Sequence, residues 1–324
     1  MERKLGQPIG GYFDLIAGTS TGAIIAAALA LGEPAKRIED LYRQHGAAIF
    51  ARPKRNPSLP FRLMGPILRL LKSDIDAGSL SHSKYSSEPL RHALTTVFGD
   101  HTLEQARQRL VIPAVDLTRA QTVVFKTPHL PEMDRDRHFK AVDVLMATTA
   151  APTYFPMATI HQGSAYCDGG LWANNPSAVA LAEALRIATT CRRPNIDPSF
   201  GSADVWMLSI GTGTCPYDIS PPAGEREGLV FWAPKVFDAT GVSQSQGMGF
   251  LTQFLLLPNQ YARVDFQIPG RAWKLDAIEC LDRLCHLGRE TAESQFSELR
   301  PMYFDRLAQP LVPFPSPSVA GLSV

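Results

Sequence analysis

No stretch of this 324-residue chain is apolar for long enough to cross a bilayer. Its longest such run, Ala23 to Leu31, falls well short of the ~20 residues a transmembrane helix needs. The N-terminus opens on the charged residues Glu2, Arg3 and Lys4 and lacks the apolar core of a secretory signal. Neither sign of charge is in excess: 32 Lys and Arg stand against 31 Asp and Glu, which removes any global attraction to nucleic acid. Five cysteines, an odd number without a C-x-x-C pair, suit free thiols in a reducing compartment better than a disulfide framework. No Cys or His cluster has zinc-ligand spacing, and neither a metal nor another cofactor is expected. No Gly/Ser or charged linker and no internal repeat divides the chain. With 45% hydrophobic residues it can bury a large core. One domain over 1–307 is expected, with a disordered tail over 308–324 that is rich in Pro and Ser from Pro310 onward. The expectation is a soluble cytoplasmic protein.

Gly18-Thr19-Ser20-Thr21-Gly22 follows the strand-like run Tyr12 to Ala17 and precedes the small-residue helical run Ala23 to Leu31. G-x-S-x-G between a strand and a helix is the elbow that exposes a nucleophilic serine. The glycines two residues either side remove side chains that would collide as strand passes into helix. The positive end of the helix favours negative charge developing at the serine. The bland alternative is a glycine-rich turn that only links two elements, and the flanking runs argue against it.

A serine hydroxyl needs a base to accept its proton. In an ordinary α/β-hydrolase several strands precede the elbow and a histidine follows late in the chain. Here nineteen residues precede Ser20, the last histidine, His286, lies in a run with helical spacing, and the other seven carry no supporting motif. The alternative base is Asp168, in Asp168-Gly169-Gly170, where two glycines let the backbone turn tightly and a second loop come close. Taken alone, an Asp-Gly pair is more often an ordinary turn. Asp116, behind the apolar Leu110 to Val115, is a reserve base without glycine context.

Taken together, the two motifs resemble the patatin-like phospholipase family. The match covers Tyr12 to Gly22, then Ala147-Thr148-Thr149-Ala150-Ala151-Pro152-Thr153-Tyr154-Phe155-Pro156. It continues through Asp168-Gly169-Gly170 with Asn174-Asn175-Pro176 to Ser209-Ile210-Gly211-Thr212-Gly213. It runs from about the first residues to Gly213 and more loosely to near residue 300. The resemblance implies a phospholipase of A type acting on membrane phospholipid or another acyl lipid. Ser20 is then the nucleophile of an acyl-enzyme and Asp168 its base. Gly18, Thr19, Thr21 and Gly22 form the elbow, the Thr21 N–H is an oxyanion donor, and Gly169 and Gly170 shape the aspartate loop. A carboxylate is a weak base for a serine proton, so burial that raises its pKa helps. An acyltransferase using the same acyl-enzyme is the alternative. His138 and Asp143 stand at an H-x-x-x-x-D spacing found in some acyltransferases, for which chance is the better explanation.

The family also carries a loop of the form D-G-G-G-x-R-G, upstream of the helix that leads into the nucleophile strand, and its amides form the oxyanion hole. Met1 to Gly6 reads as the end of that helix, and Gly10-Gly11 as the connector before the strand. Losing one oxyanion donor costs on the order of 10²- to 10³-fold in rate. Weak or no activity is therefore expected of this chain, with a longer form as the working enzyme or a lipid-binding remnant as the alternative.

Arg52 to Lys72 mixes cations with large apolar groups and is the segment expected to touch a membrane, although Pro66 interrupts any single long helix. Strand-like segments at Tyr12 to Ala17, Arg109 to Asp116, Thr122 to Lys126, Val205 to Ile210 and Arg263 to Ile268 are separated by helical runs. The clearest of these are Ala35 to Phe50, Ser86 to Phe98, Pro176 to Thr189 and Asp276 to Leu287. This alternation predicts a three-layer α/β/α sandwich with a mostly parallel central sheet. Ser20 is expected at the carboxyl end of one strand and Asp168 in a loop beside it, where open α/β sheets place ligand sites. Oligomeric state is left open.

Overall fold

The computed structural model describes residues 1–53, 82–160, 163–191, 204–214, 232, 235–269 and 276–313. In chain order the elements are α1 (Glu2–Leu5), a 3₁₀ turn (Ile9–Tyr12), β1 (Leu15–Ala17), α2 (Thr21–Leu31), α3 (Ala35–Ile49) and α4 (Glu88–Phe98). Next come β2 (Arg109–Asp116), β3 (Gln121–Lys126), α5 (Ala141–Thr148), β4 (Tyr166–Asp168), α6 (Gly170–Ala173) and α7 (Ser177–Cys191). β5 (Met207–Ile210), α8 (Val236–Leu255), β6 (Tyr261–Val264) and α9 (Leu281–Tyr303) follow, and short 3₁₀ turns lie at Leu103–Gln105 and Ile278–Cys280. Most of Arg52 to Lys72, from residue 54 onward, lies outside the described residues.

β2 organises the sheet. β3 pairs antiparallel along one edge, from Val111 to Asp116. Two short strands share the other edge: β1 runs parallel beside Arg109 to Val111, and β4 runs antiparallel beside Ala114 to Asp116. Because β1 runs with β2 and β4 against it, their carboxyl ends point at each other across a gap opposite Ile112 and Pro113. On this edge Val111 accepts from the Gly18 N–H and Leu117 donates to Ala165. Alternation along the strand puts the Pro113 nitrogen at the same edge, inside the gap, where its missing N–H breaks no ladder bond.

The α/β architecture is the expected one, but the pairing is mixed rather than mostly parallel. Only residues 117–120 join β2 to β3, too few for the crossover that a parallel pair needs. Their turn is closed by Asp116, whose Oδ1 accepts from the N–H groups of Thr118 and Arg119. Asp168, expected in a loop, is the last residue of β4. Among the described residues β5 and β6 pair parallel with each other and not with β2.

α2 is buried on nearly every side, through Ala23, Ile24, Ala26, Ala27, Ala28 and Ala30. A helix apolar all round belongs in a core, and its alanines let it lie close to β1, β2, α3 and α5. Gly32, at φ 88°, ends it by donating to the carbonyls of Ala28 and Leu29. The nucleophile strand is shorter than its apolar run suggests. At Gly10 the 3₁₀ turn comes so close to α2 that a Cβ would collide with the Leu29 carbonyl, and Ile9 to Tyr12 turns instead of extending. α9 closes another side of the molecule, with Phe296, Leu299 and Tyr303 packed on Ile9 and Val264. Residues 308–313, expected in the tail, are docked: Ala308 donates to Gly11 and the buried Leu311 to Arg107. Among the described residues no helix is long and apolar enough to cross a membrane.

Candidate active site

Because β1 and β4 end head to head, the turn leaving β1 meets the last residue of β4. Ser20 Oγ donates to Asp168 Oδ2 at 2.6 Å. Asp168 Oδ1 accepts from the Gly170 N–H at 2.7 Å, and the Asp168 N–H donates to Ala150 at 3.1 Å. Both carboxylate oxygens are thus engaged and the group is buried. Burial pushes its pKa up to about 6, although the bonds from Ser20 and Gly170 pull the other way. Ser20 has φ 53° and ψ −126°, outside the regions an L-residue favours, a conformation that costs on the order of 1–3 kcal/mol and recurs at functional turns. Thr21 begins α2 directly after it, so its amide is a helix-end donor with no intrahelical partner.

Two hydroxyls brace this strained turn. Thr148, fully buried at the end of α5, accepts from the Ser20 N–H at 3.0 Å and donates to the Pro113 carbonyl at 2.7 Å, in the gap between β1 and β4. Thr19 donates to the Ala173 carbonyl at 2.6 Å and so ties the elbow to the end of α6, just past the aspartate. Neither brace was assigned by sequence reasoning; the signal available was that Thr148 lies inside the second matching motif. Thr148→Val strands the Ser20 N–H and the Pro113 carbonyl without a partner. It is expected to lower turnover at least tenfold and to cost roughly 1–3 kcal/mol in urea melts, with Thr148→Ser restoring most of both.

The glycines are not equivalent. A Cβ on Gly18 would collide with the Gly22 backbone carbonyl, whereas one on Gly22 meets nothing within 4 Å. Only Gly18 is needed for steric reasons, which corrects the expectation for the pair. Gly18→Ala is expected to destabilise by roughly 1–3 kcal/mol through overpacking, and Gly22→Ala to stay within about 1 kcal/mol of the parent, as measured by denaturant unfolding. Gly169 is where the aspartate turn touches the centre of β2, since a Cβ there would strike the Pro113 carbonyl.

Beside Ser20 opens a small pocket that is partly open to solvent. Ile24, Ile49, Phe50, Leu90 and Phe155 give it apolar walls. The Tyr42 phenol meets the Thr21 hydroxyl, and burial pushes its pKa up to about 12, so it stays protonated. The loop that supplies Tyr154 and Phe155 is pinned by Lys84 and Tyr85, which donate to the carbonyls of Thr153 and Tyr154.

A family model described as patatin-like phospholipase matches residues 1–181, more than half of the chain and a span that includes Ser20 and Asp168. The chain belongs to the patatin-like phospholipase family. It is 33% identical over 308 residues to a Vibrio cholerae protein named cGAMP-activated phospholipase, covering 90% of this chain and 82% of that one. A Pseudomonas aeruginosa protein of the same name is 34% identical over 279 residues, covering 86% and 76%. Patatin-like protein 1 of Arabidopsis thaliana is 31% identical over 244 residues, covering 68% and 54%.

The remaining candidates have other partners in this patatin-like chain. Asp116 is held by Arg119, whose bond keeps its carboxyl below the usual range. His138 meets Glu104 and Asp143 meets Arg91, so the H-x-x-x-x-D spacing makes no joint site. His286 pairs with Glu290 along α9, and the buried His129 with Glu183. The Ser209 motif does not reach Ser20: the Ser209 hydroxyl meets Ser177 and Arg263 and fastens β5 and β6 to α7. Among the described residues no group of three or more His, Cys, Asp or Glu is placed to hold a metal ion.

Proposed function

We propose that this chain is a phospholipase of A type that cleaves acyl esters of membrane lipids through Ser20 and Asp168. The observation that carries the reading is the 2.6 Å Ser20–Asp168 bond beside an apolar pocket. Ser20 Oγ attacks the ester carbonyl as its proton passes to Asp168 Oδ2. The Thr21 amide and the positive end of α2 face the oxyanion. Collapse of the tetrahedral intermediate expels the lysolipid alkoxide, which takes the proton from Asp168 and leaves the acyl group on Ser20. Water, deprotonated by the same carboxylate, then releases the fatty acid. The pocket walls of Ile24, Ile49, Phe50, Leu90 and Phe155 suit a hydrocarbon chain.

Two relatives at 33% and 34% identity are named for activation by cGAMP, and a cyclic dinucleotide of that kind is the activator proposed here. Fatty-acid release from mixed phospholipid vesicles, with and without cGAMP, tests both parts. Release that requires Ser20 and rises with cGAMP is expected; release untouched by Ser20→Ala contradicts the hydrolase reading.

A further inference from the structure

From Ala239 to Ala262 the chain has no Asp, Glu, Lys, Arg or His, in a protein of which 19% of residues are charged. Most of this neutral stretch is α8. One side of its C-terminal half is anchored: Thr252 is fully buried, and Leu256 packs with Leu181 and Val205. The other side stands in water. Phe250 is 61% exposed, Phe254 72% and Leu255 70%, with Leu251 and Leu257 also exposed. Phe250 and Phe254, one turn apart, touch at a ring separation of 4.5 Å. Exposed apolar groups scattered singly are ordinary, but a contiguous cluster marks a surface that meets something.

The same helix is fastened to the site. Asn174 Nδ2 donates to Gly241 at 3.0 Å, the Asn175 N–H to Gln244 at 3.0 Å, and Asn175 Nδ2 to Ser245 at 3.1 Å. These asparagines form the turn directly after α6, so α8 is held in fixed relation to Asp168.

We infer that Phe250 to Leu257, the end of α8 and the turn after it, is the surface with which this protein rests on a lipid bilayer. The inference rests on the proposed lipid substrate. Neutrality chooses the occupant: a protein partner ordinarily meets a rim of polar and charged residues, whereas burial in acyl chains penalises every charge and rewards exposed Phe and Leu. From 239 to 262 the helix and the turn after it present no charge to be desolvated, and between Phe250 and Leu257 the exposed polar side chain is Gln253, set among exposed Phe and Leu.

The test uses Ser20→Ala, so that no lipid is consumed, with and without Phe250→Ser/Phe254→Ser/Leu255→Ser. Binding is read by co-sedimentation with phosphatidylcholine vesicles and with vesicles containing phosphatidylglycerol. Ser20→Ala is expected to bind both, and the triple change to lower binding to both at least tenfold. The single change Phe254→Ser, at a highly exposed position, is expected to lower it about threefold and guards against misfolding of the triple variant. With Ser20 intact and cGAMP present, the triple variant is expected to hydrolyse a water-soluble short-chain ester within twofold of the parent while losing release from vesicles. Unchanged co-sedimentation of the triple variant overturns the inference. So does a parent that ignores vesicles and forms a dimer that the triple change dissociates, since the surface then belongs to a second copy. A parent that binds vesicles through this surface yet hydrolyses no ester refutes the hydrolase reading and leaves the docking surface standing.

Discussion

Ser20→Ala is expected to lower ester hydrolysis by on the order of 10³-fold or more, because an acyl-enzyme cannot form without the hydroxyl. The strained φ of 53° persists in alanine, so the change relieves nothing in the backbone. It does remove the hydrogen bond on Asp168 Oδ2, in a site where the carboxylate is buried. Melting experiments should therefore show a loss of roughly 1–3 kcal/mol at pH 8. That loss shrinks at pH 5, where Asp168 carries a proton and depends less on the serine. An activity loss with a folded protein at both pH values separates the nucleophile from a structural serine; retained hydrolysis at pH 8 contradicts its role.

Asp168→Asn should lose activity by about 10²- to 10⁴-fold, the usual worth of a positioned base, and gain stability at the same time. Burial raises the folded pKa to about 6, above the value of about 3.9 in an unfolded chain. Between those values the native carboxyl holds a proton that the unfolded chain has released. Stability therefore falls as pH rises through that window, and the full penalty is present above pH 6. Asparagine has no charge to bury. The variant should be more stable than the parent by about 1–3 kcal/mol at pH 8, with the difference closing near pH 4. Conversely, kcat/KM of the parent should climb with pH to a plateau, with its acid limb near pH 6, because only the ionised carboxylate accepts the serine proton. A rate independent of pH from 5 to 8 contradicts Asp168 as the base.

Ser20 and Asp168 were legible as candidates because each sits in a local motif with one glycine that has a steric reason: Gly18 against Gly22, and Gly169 against Pro113. Arg109 to Asp116 was legible as a strand because its apolar run is continuous and buried almost throughout. What brings the two residues together was not legible. The gap opposite Pro113, where β1 and β4 meet, is a matter of register between strands about 50 to 100 residues apart, and no local pattern encodes it. Thr148 looks like any helix-end threonine until its hydroxyl is seen between Ser20 and Pro113. α8 was not anticipated either: Gly241, Gly247 and Gly249 dilute its helical propensity. Bonds from Asn174 and Asn175 hold it from outside, where tertiary context overrides a weak local preference.

Fluorophosphonate labelling followed by peptide mass spectrometry tests the nucleophile without assuming a lipid, a head group or a chain length. With cGAMP present, one label per chain on the peptide containing Ser20 is expected at pH 8. Labelling should slow sharply in Asp168→Asn and disappear in Ser20→Ala. A label on another residue, or a Ser20→Ala protein that labels as fast as the parent, contradicts the assignment of Ser20 as the attacking group.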